Sequence, residues 1–143
     1  SSFTKVSSAV ICFYVSHVGD SRAYLYKDTL KQITADDTFV NELVKRGLIN
    51  EEEASHHPKR NVLVQAIGIK EALRISFYKI EEDYRAILLC SDGLYNSLSS
   101  QQIEEILQKN ASVDQKTECL IQSANEFGGL DNIGVLLIEK GEA

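Results

Sequence analysis

The apolar pattern changes period several times along the chain. Residues 6–18 (VSSAVICFYVSHV) are rich in β-branched and aromatic side chains. Ala9, Ile11, Phe13 and Val15 interleave with Val10, Cys12 and Tyr14, so both faces are apolar. That predicts a strand buried on two sides. Gly19-Asp20 breaks the run. Arg22 to Lys27 reads as a second strand, Lys27-Asp28-Thr29 as a turn, and Leu30 to Ile33 as a short return strand. Together they predict an antiparallel meander.

Helical spacing follows. Phe39, Val40, Leu43 and Val44 share one face, and Asp36, Asp37 and Thr38 crowd the start as acidic and capping residues. Gly47 ends this helix. Asn50 with Glu53 forms a capping box for a very short helix, which Pro58 keeps from continuing. The stretch 61–68 is apolar without a clear period. Arg74 to Ile80 alternates as a strand, and Arg85 to Cys90 (RAILLC) is a central buried one. Ser99 with Gln102, and Ser112 with Gln115, are two further capping boxes ahead of helical apolar stripes. Gly128-Gly129 closes the second helix, and Ile133 to Ile138 is a last buried strand. Hairpins with interspersed helices predict an α+β fold with a mainly antiparallel sheet.

Composition narrows the function. The 143 residues suit one domain, 1–143, with a sizeable core. Lys plus Arg is 15 against 21 Asp plus Glu, a net charge of −6, and the cations do not cluster. Such a chain is a poor nucleic-acid binder. No apolar run reaches the roughly 20 residues that span a bilayer, and no secretory signal is visible. The three cysteines, Cys12, Cys90 and Cys119, lack C-x-x-C spacing and suit a reducing compartment, so the cytoplasm is expected.

Chemistry is carried by carboxylates. Asp92 follows the strand AILLC and precedes Gly93, Asp131 lies in GGLDNIGVLLI before the last strand, and Asp36 precedes the first helix. Carboxylates held at neighbouring strand ends can share a hard cation such as Mg²⁺ or Mn²⁺. Alone, each signal is weak: Ser-Asp-Gly is usually a turn, Asp-Asn before a strand usually an ordinary loop, and Asp36-Asp37 suits a helix N-terminus.

The segments HVGDSRAYLY (17–26), ITADDTFVNELVKRGLINEEEA (33–54), HPKRNVLVQAIG (57–68), LLCSDGLYNSLS (88–99) and GGLDNIGVLL (128–137) occur in this order. In order and spacing they resemble the metal-dependent PP2C-type (PPM) protein phosphatases, most closely the bacterial serine/threonine members. The resemblance implies an antiparallel β-sandwich flanked by helices. It implies a two-metal centre in which activated water hydrolyses phosphoserine or phosphothreonine on a phosphoprotein, the substrate of a serine/threonine kinase. Carried over by motif, Asp92 and Asp131 are metal ligands, and Asp36 helps hold a third ion. Asn96 lies where some relatives place an Asp. The GDSR block (Asp20, Ser21, Arg22) and the block with His57, Pro58, Arg60 and Asn61 are read as structural.

Departures from the family shape the expectation. The family opens with an Asp-Gly metal ligand that nothing before Val6 supplies, position 37 is Asp where His is usual, and position 134 is Gly where Thr or Ser is usual. The chain is therefore expected to be the carboxy-terminal portion of a phosphatase domain, an incomplete sandwich. The complete domain would hold two or three Mg²⁺ or Mn²⁺ ions. This chain would bind them weakly or not at all, because too few carboxylates oppose the repulsion between adjacent ions. The alternatives are a non-catalytic phosphatase-like binding or regulatory module and an inactive fragment that self-associates, as a homodimer through uncovered sheet edges.

Overall fold

The run AILLC is apolar throughout because both faces of its strand are covered. In the computed structural model, which describes residues 13–68, 73–129 and 131–141, this strand is β5 (Ala86–Cys90), the fifth of six. Ahead of it come β1 (Phe13–His17), β2 (Arg22–Tyr26), β3 (Leu30–Gln32) and β4 (Ser76–Ile80), and β6 (Val135–Glu139) follows. An antiparallel sheet runs in the order β3-β2-β5-β6, and β1 pairs with β4 in a separate two-stranded sheet.

The four-stranded sheet carries helices on one face and the small sheet on the other. Tyr24, Tyr26, Leu88 and Leu137 pack against Leu94, Leu98, Ile103, Ile106, Leu107, Leu120 and Ala124. These come from α3 (Asp92–Tyr95), α4 (Ser100–Leu107), α5 (Val113–Glu126) and the α3–α4 turn. On the opposite face Leu25 and Ile87 meet Ile80, with Phe13, Val15, Ile33, Tyr84 and Ile138 around them. The remaining helices, α1 (Phe39–Lys45) and α2 (Glu51–His56), lie between β3 and β4 in the chain.

Local signals placed the helices well. Asn50–Glu53, Ser99–Gln102 and Ser112–Gln115 all form complete capping boxes. Each satisfies two orphan backbone donors, and losing such a cap typically costs about 1 kcal/mol. Gly47 and Gly129 follow α1 and α5 with φ of +69° and +53°, the left-handed conformation that closes helices. Thr38 caps α1 by accepting from the Asn41 N–H.

Three expectations change. The meander does not form: β2 and β3 make a hairpin, but β1 pairs with the distant β4. The left-handed Gly19 (φ +106°) turns the chain out of the small sheet before β2 begins. Strand β1 is also covered on one face only, with Tyr14 and Ser16 exposed, because no described element lies over the outside of the small sheet. The part of the expected strand before Phe13 lies outside the described residues. Finally, Ser91-Asp92-Gly93 is not a plain turn, since Asp92 opens α3.

Candidate functional site

Antiparallel pairing brings three chain segments to one sheet end. Arg22 is in register with Cys90, and Cys90 with Val135. Asp20 therefore lies just before β2, Asp92 just after β5, and Asp131 in the loop before β6, all at that end. The last two segments touch closely. Ser91 Oγ accepts from the Gly134 N–H at 2.8 Å and lies 3.2 Å from the Asn132 carbonyl, to which it donates. A Cβ on Gly93 would fall 2.5 Å from the Asn132 carbonyl oxygen. Only glycine lets the Gly93 and Asn132 backbones approach this far.

A cavity of about 370 Å³ opens at this end, with Asp20, Arg22, Asp36, Arg60, Asp92 and Tyr95 among its lining. Asp20 and Asp92 both line it, close enough to interact electrostatically. Burial raises the Asp20 carboxyl above its usual range, with the Asp92 charge adding to the effect and Asp36 contributing less. Among the described residues nothing donates a hydrogen bond to the Asp92 carboxylate. Both are oxygen-donor acids.

Asp36 faces the same cavity in a different state. Its carboxylate is forked by Arg22, with Nη2 2.8 Å from Oδ2 and Nε 3.1 Å from both oxygens, and Gln32 Nε2 adds a bond to Oδ1 at 3.1 Å. The Arg22 guanidinium also lies 3.6 Å above the centre of the Tyr95 ring and donates to Tyr24. Burial works against the Arg22 charge, but the bonds to Asp36 and Tyr24 outweigh it and hold the guanidinium firmly protonated. Burial likewise pushes up the Tyr95 phenol, whose hydroxyl donates to the Asp20 carbonyl at 3.0 Å.

Asp37 is not at the cavity and not a helix-start charge. It is 2% exposed. Its Oδ2 accepts from the Gly19 N–H at 3.0 Å and from Gln65 Nε2 at 2.7 Å, while its own N–H donates to the Gly19 carbonyl at 2.7 Å. It clamps the peptide just before Asp20.

Asp131 is exposed, and its Oδ1 accepts from the Asn132 N–H at 2.7 Å. It is not among the cavity-lining residues, although its loop adjoins them. Asn96 lines the cavity and is exposed. His56 bonds with Ser55, and His57 takes the Lys59 N–H and lies against Phe39, so the two rings serve separate contacts. Burial pushes the Cys90 thiol up to about 12, which removes it as a nucleophile. Among the described residues no group of three or more His, Cys, Asp or Glu is arranged to hold a metal.

Sequence reasoning passed over Asp20, reading GDSR as structural. No local signal marked it, because the strand that brings Asp92 beside it lies far along the chain.

Comparison with known proteins places this geometry. The chain is 39% identical over 128 residues to the serine/threonine phosphatase stp of Listeria welshimeri, covering 88% of this chain and 51% of that protein. It is 40% identical over 131 residues to the protein phosphatase PhpP of Streptococcus pneumoniae, covering 89% and 52%. The chain is a homologue of the bacterial PP2C-type serine/threonine phosphatases. It spans about half the length of these curated relatives. A solved phosphatase of this type from Streptococcus agalactiae superposes with a TM-score of 0.82 at 36% identity, over 90% of this chain and 55% of that one. The catalytic domain of the phosphatase PstP, solved in complex with two manganese ions, superposes with a TM-score of 0.73 at 36% identity, over 91% and 54%. No protein-family model matches the chain. Among the described residues no helix is long and apolar enough to cross a membrane.

Proposed function

We propose that the 143 residues form one part of the catalytic domain of a metal-dependent protein phosphatase that hydrolyses phosphoserine and phosphothreonine in a cytoplasmic phosphoprotein. One observation carries this reading: Asp20 and Asp92 line a single cavity, close enough for the Asp92 charge to raise the Asp20 carboxyl. Their oxygen-only donor set suits a hard divalent ion, Mg²⁺ or Mn²⁺, and leaves room for its waters. Asp20 and Asp92 would hold such an ion, with Asp131 approaching from the adjoining loop. When bound, divalent ions at such a site acidify water and offset charge on phosphoryl oxygens.

The other residues have their own work. Arg22 is committed to Asp36, so it steadies the cavity wall instead of clamping phosphate, and Asp36 serves as its partner more than as a ligand. Arg60 lines the cavity, is exposed and has no ion-pair partner among the described residues. It is placed to receive the dianionic phosphate of an incoming substrate. The Tyr95 hydroxyl fixes the Asp20 backbone.

A second reading is a phosphatase-like binding module without turnover. The lack of a three-ligand group among the described residues favours it. The deciding experiment is a phosphopeptide assay with Mn²⁺, run beside calorimetric Mn²⁺ titration of the wild type, Asp92→Asn and Asp20→Asn. The enzymatic reading expects Mn²⁺ binding that both substitutions weaken at least tenfold, with any turnover lost in both. Mn²⁺ binding indifferent to both would end it, and phosphopeptide binding without metal would establish the module.

A further inference from the structure

Gln65 sits in an irregular stretch, yet three segments that are distant in the chain meet on its side chain. It is 5% exposed. Its Nε2 donates to Asp37 Oδ2 at 2.7 Å and to the Arg74 carbonyl at 2.8 Å, while Oε1 accepts the Arg74 N–H at 3.2 Å. Both donors and the carbonyl of the amide are therefore engaged. Arg74 leads towards β4 and also reaches α1, where Glu42 Oε1 accepts from its Nη2 at 2.9 Å. Asp37 leads into α1. Its N–H donates to the Gly19 carbonyl at 2.7 Å, and its Oδ2 accepts the Gly19 N–H at 3.0 Å. The main chain before Gln65 is tied to the same place, since the Val64 N–H donates to the Asp37 carbonyl at 2.8 Å.

Electrostatics give Gln65 its task. A carboxylate as deeply buried as that of Asp37 needs hydrogen-bond donors. Among the described residues its side chain has two, the Gly19 N–H and Gln65 Nε2, and both go to one oxygen. If the Gln65 donor is withdrawn, the carboxylate turns to find another, and the acceptor of the Gly19 N–H moves with it. Gly19 resists little by itself. At φ +106° it is a glycine turn, held in place by its partners and not by a side chain of its own. Asp20 is the next residue, and its carbonyl is held from the other side by the Tyr95 hydroxyl at 3.0 Å.

We propose that Gln65 is a positioning residue for the carboxylate cavity: by fixing the Asp37 carboxylate it sets the Gly19-Asp20 turn, and with it the place of Asp20 beside Asp92. The consequence for cation binding rests on the reading of Asp20 and Asp92 as ligands, while the consequence for the turn does not. Groups that orient the ligands of a metal govern affinity almost as strongly as the ligands do. Through Arg74 and Glu42 the same chain of bonds extends to α1, so a single polar network joins that helix to Asp20.

The test compares the wild-type 143-residue chain with Gln65→Met, which keeps the length of the side chain and removes its amide. Ile103→Val, on α4 in the main core, is the control for general loosening. Amide exchange, tyrosine ring spectra and calorimetric Mn²⁺ titration are measured on each protein. Tyr95 is the informative probe. Among the described residues it bonds to Asp20 and has no hydrogen bond to Gln65 or Asp37. In Gln65→Met the Gly19 amide should exchange faster relative to β5, the Tyr95 ring signals should move, and Mn²⁺ should bind about tenfold more weakly. Ile103→Val should lower the melting temperature and do none of these. If Gln65→Met does not fold, Gln65→Asn, which draws the amide back by one methylene, supplies the same comparison. Unmoved Gly19 and Tyr95 signals would overturn the proposal. The same changes in Ile103→Val would overturn it too, by reducing Gln65 to general stability. Moved signals with unchanged Mn²⁺ affinity would overturn the consequence for cation binding. A wild type that binds no Mn²⁺ would end the metal reading instead, and the Gly19 and Tyr95 signals would then decide the role of Gln65 alone.

Discussion

Arg22 holds Asp36 in a two-pronged fork with its guanidinium 3.6 Å from the centre of the Tyr95 ring, so its hydrogen bonds at the sheet end go to one acid and not to the neighbouring Asp20 and Asp92. That division sorts the acids of the cavity into a wall-building pair and an open pair. The side chains of Arg22 and Asp36 are 26% and 9% exposed, so the ion pair is shielded but not dry. Arg22→Ala leaves the Asp36 charge mostly buried. The expected loss is about 2–3 kcal/mol, below the full figure for a buried pair because Arg22 reaches solvent. Arg22→Lys should recover less than half, since an ammonium can neither fork nor stack. Urea unfolding of the three proteins measures this.

Asp36→Asn separates the two roles offered for that residue. As the partner of Arg22 it should lower the melting temperature and leave calorimetric Mn²⁺ titration unchanged. Weakened Mn²⁺ binding with an unchanged melting temperature would instead restore Asp36 as a ligand to a third ion.

The buried Asp37 should be among the most sensitive polar positions in the chain. Asp37→Ala strands the Gly19 N–H and frees Gln65 Nε2, which also bridges to the Arg74 carbonyl at 2.8 Å. An unmet buried donor costs about 1–3 kcal/mol, and the lost charged bond adds to it. Hydrogen exchange should show the Gly19 amide losing protection more than the amides of β5. Uniform loss across both would place Asp37 in global stability alone.

Much of this was legible in the sequence where the cause is local. The capping boxes at Asn50, Ser99 and Ser112 need only four consecutive residues, and AILLC declares a doubly covered strand by itself. Partners were not legible. Nothing in residues 13–17 says that β4 will pair with them instead of β2. Asp36 and Asp37 have the same local reading as a helix start, yet one goes to Arg22 and the other to Gly19, because tertiary contacts outbid a weak dipole preference. Asp20 was missed for the same reason: its neighbour Asp92 comes from a strand far along the chain. The structure brings Gly93 and Asn132, the residues that follow Asp92 and Asp131, into backbone contact and leaves Asp131 outside the cavity lining.

Gly93 tests that approach directly. Gly93→Ala puts a Cβ 2.5 Å from a backbone oxygen that cannot swing aside, so the β5 and β6 loops must separate. Overpacking of this kind costs about 1–3 kcal/mol, only partly offset by the better helix propensity of Ala in α3. The Gly134 amide, which donates to Ser91 Oγ, should exchange faster in the variant. An unchanged Gly134 amide would mean that the two loops are not in contact in solution.

The open acid pair predicts an unusual pH response. Burial and the Asp92 charge raise the folded-state pKa of Asp20 above its ordinary value of 3.8. The folded protein therefore holds the Asp20 proton more tightly than the unfolded chain does. This contribution is fully present below pH 3.8 and is lost as the pH rises through the folded value. Above the folded value that contribution is gone, so Asp20→Asn should raise the melting temperature at pH 7 by about 2 °C, while at pH 3 the two proteins should melt together. Mn²⁺ added at pH 7 should stabilise the wild type and not Asp20→Asn, because a cation relieves the same repulsion that the amide removes. Melting curves at the two pH values, with and without Mn²⁺, decide it: equal stability at pH 7 would show that Asp20 and Asp92 do not share the cavity in solution.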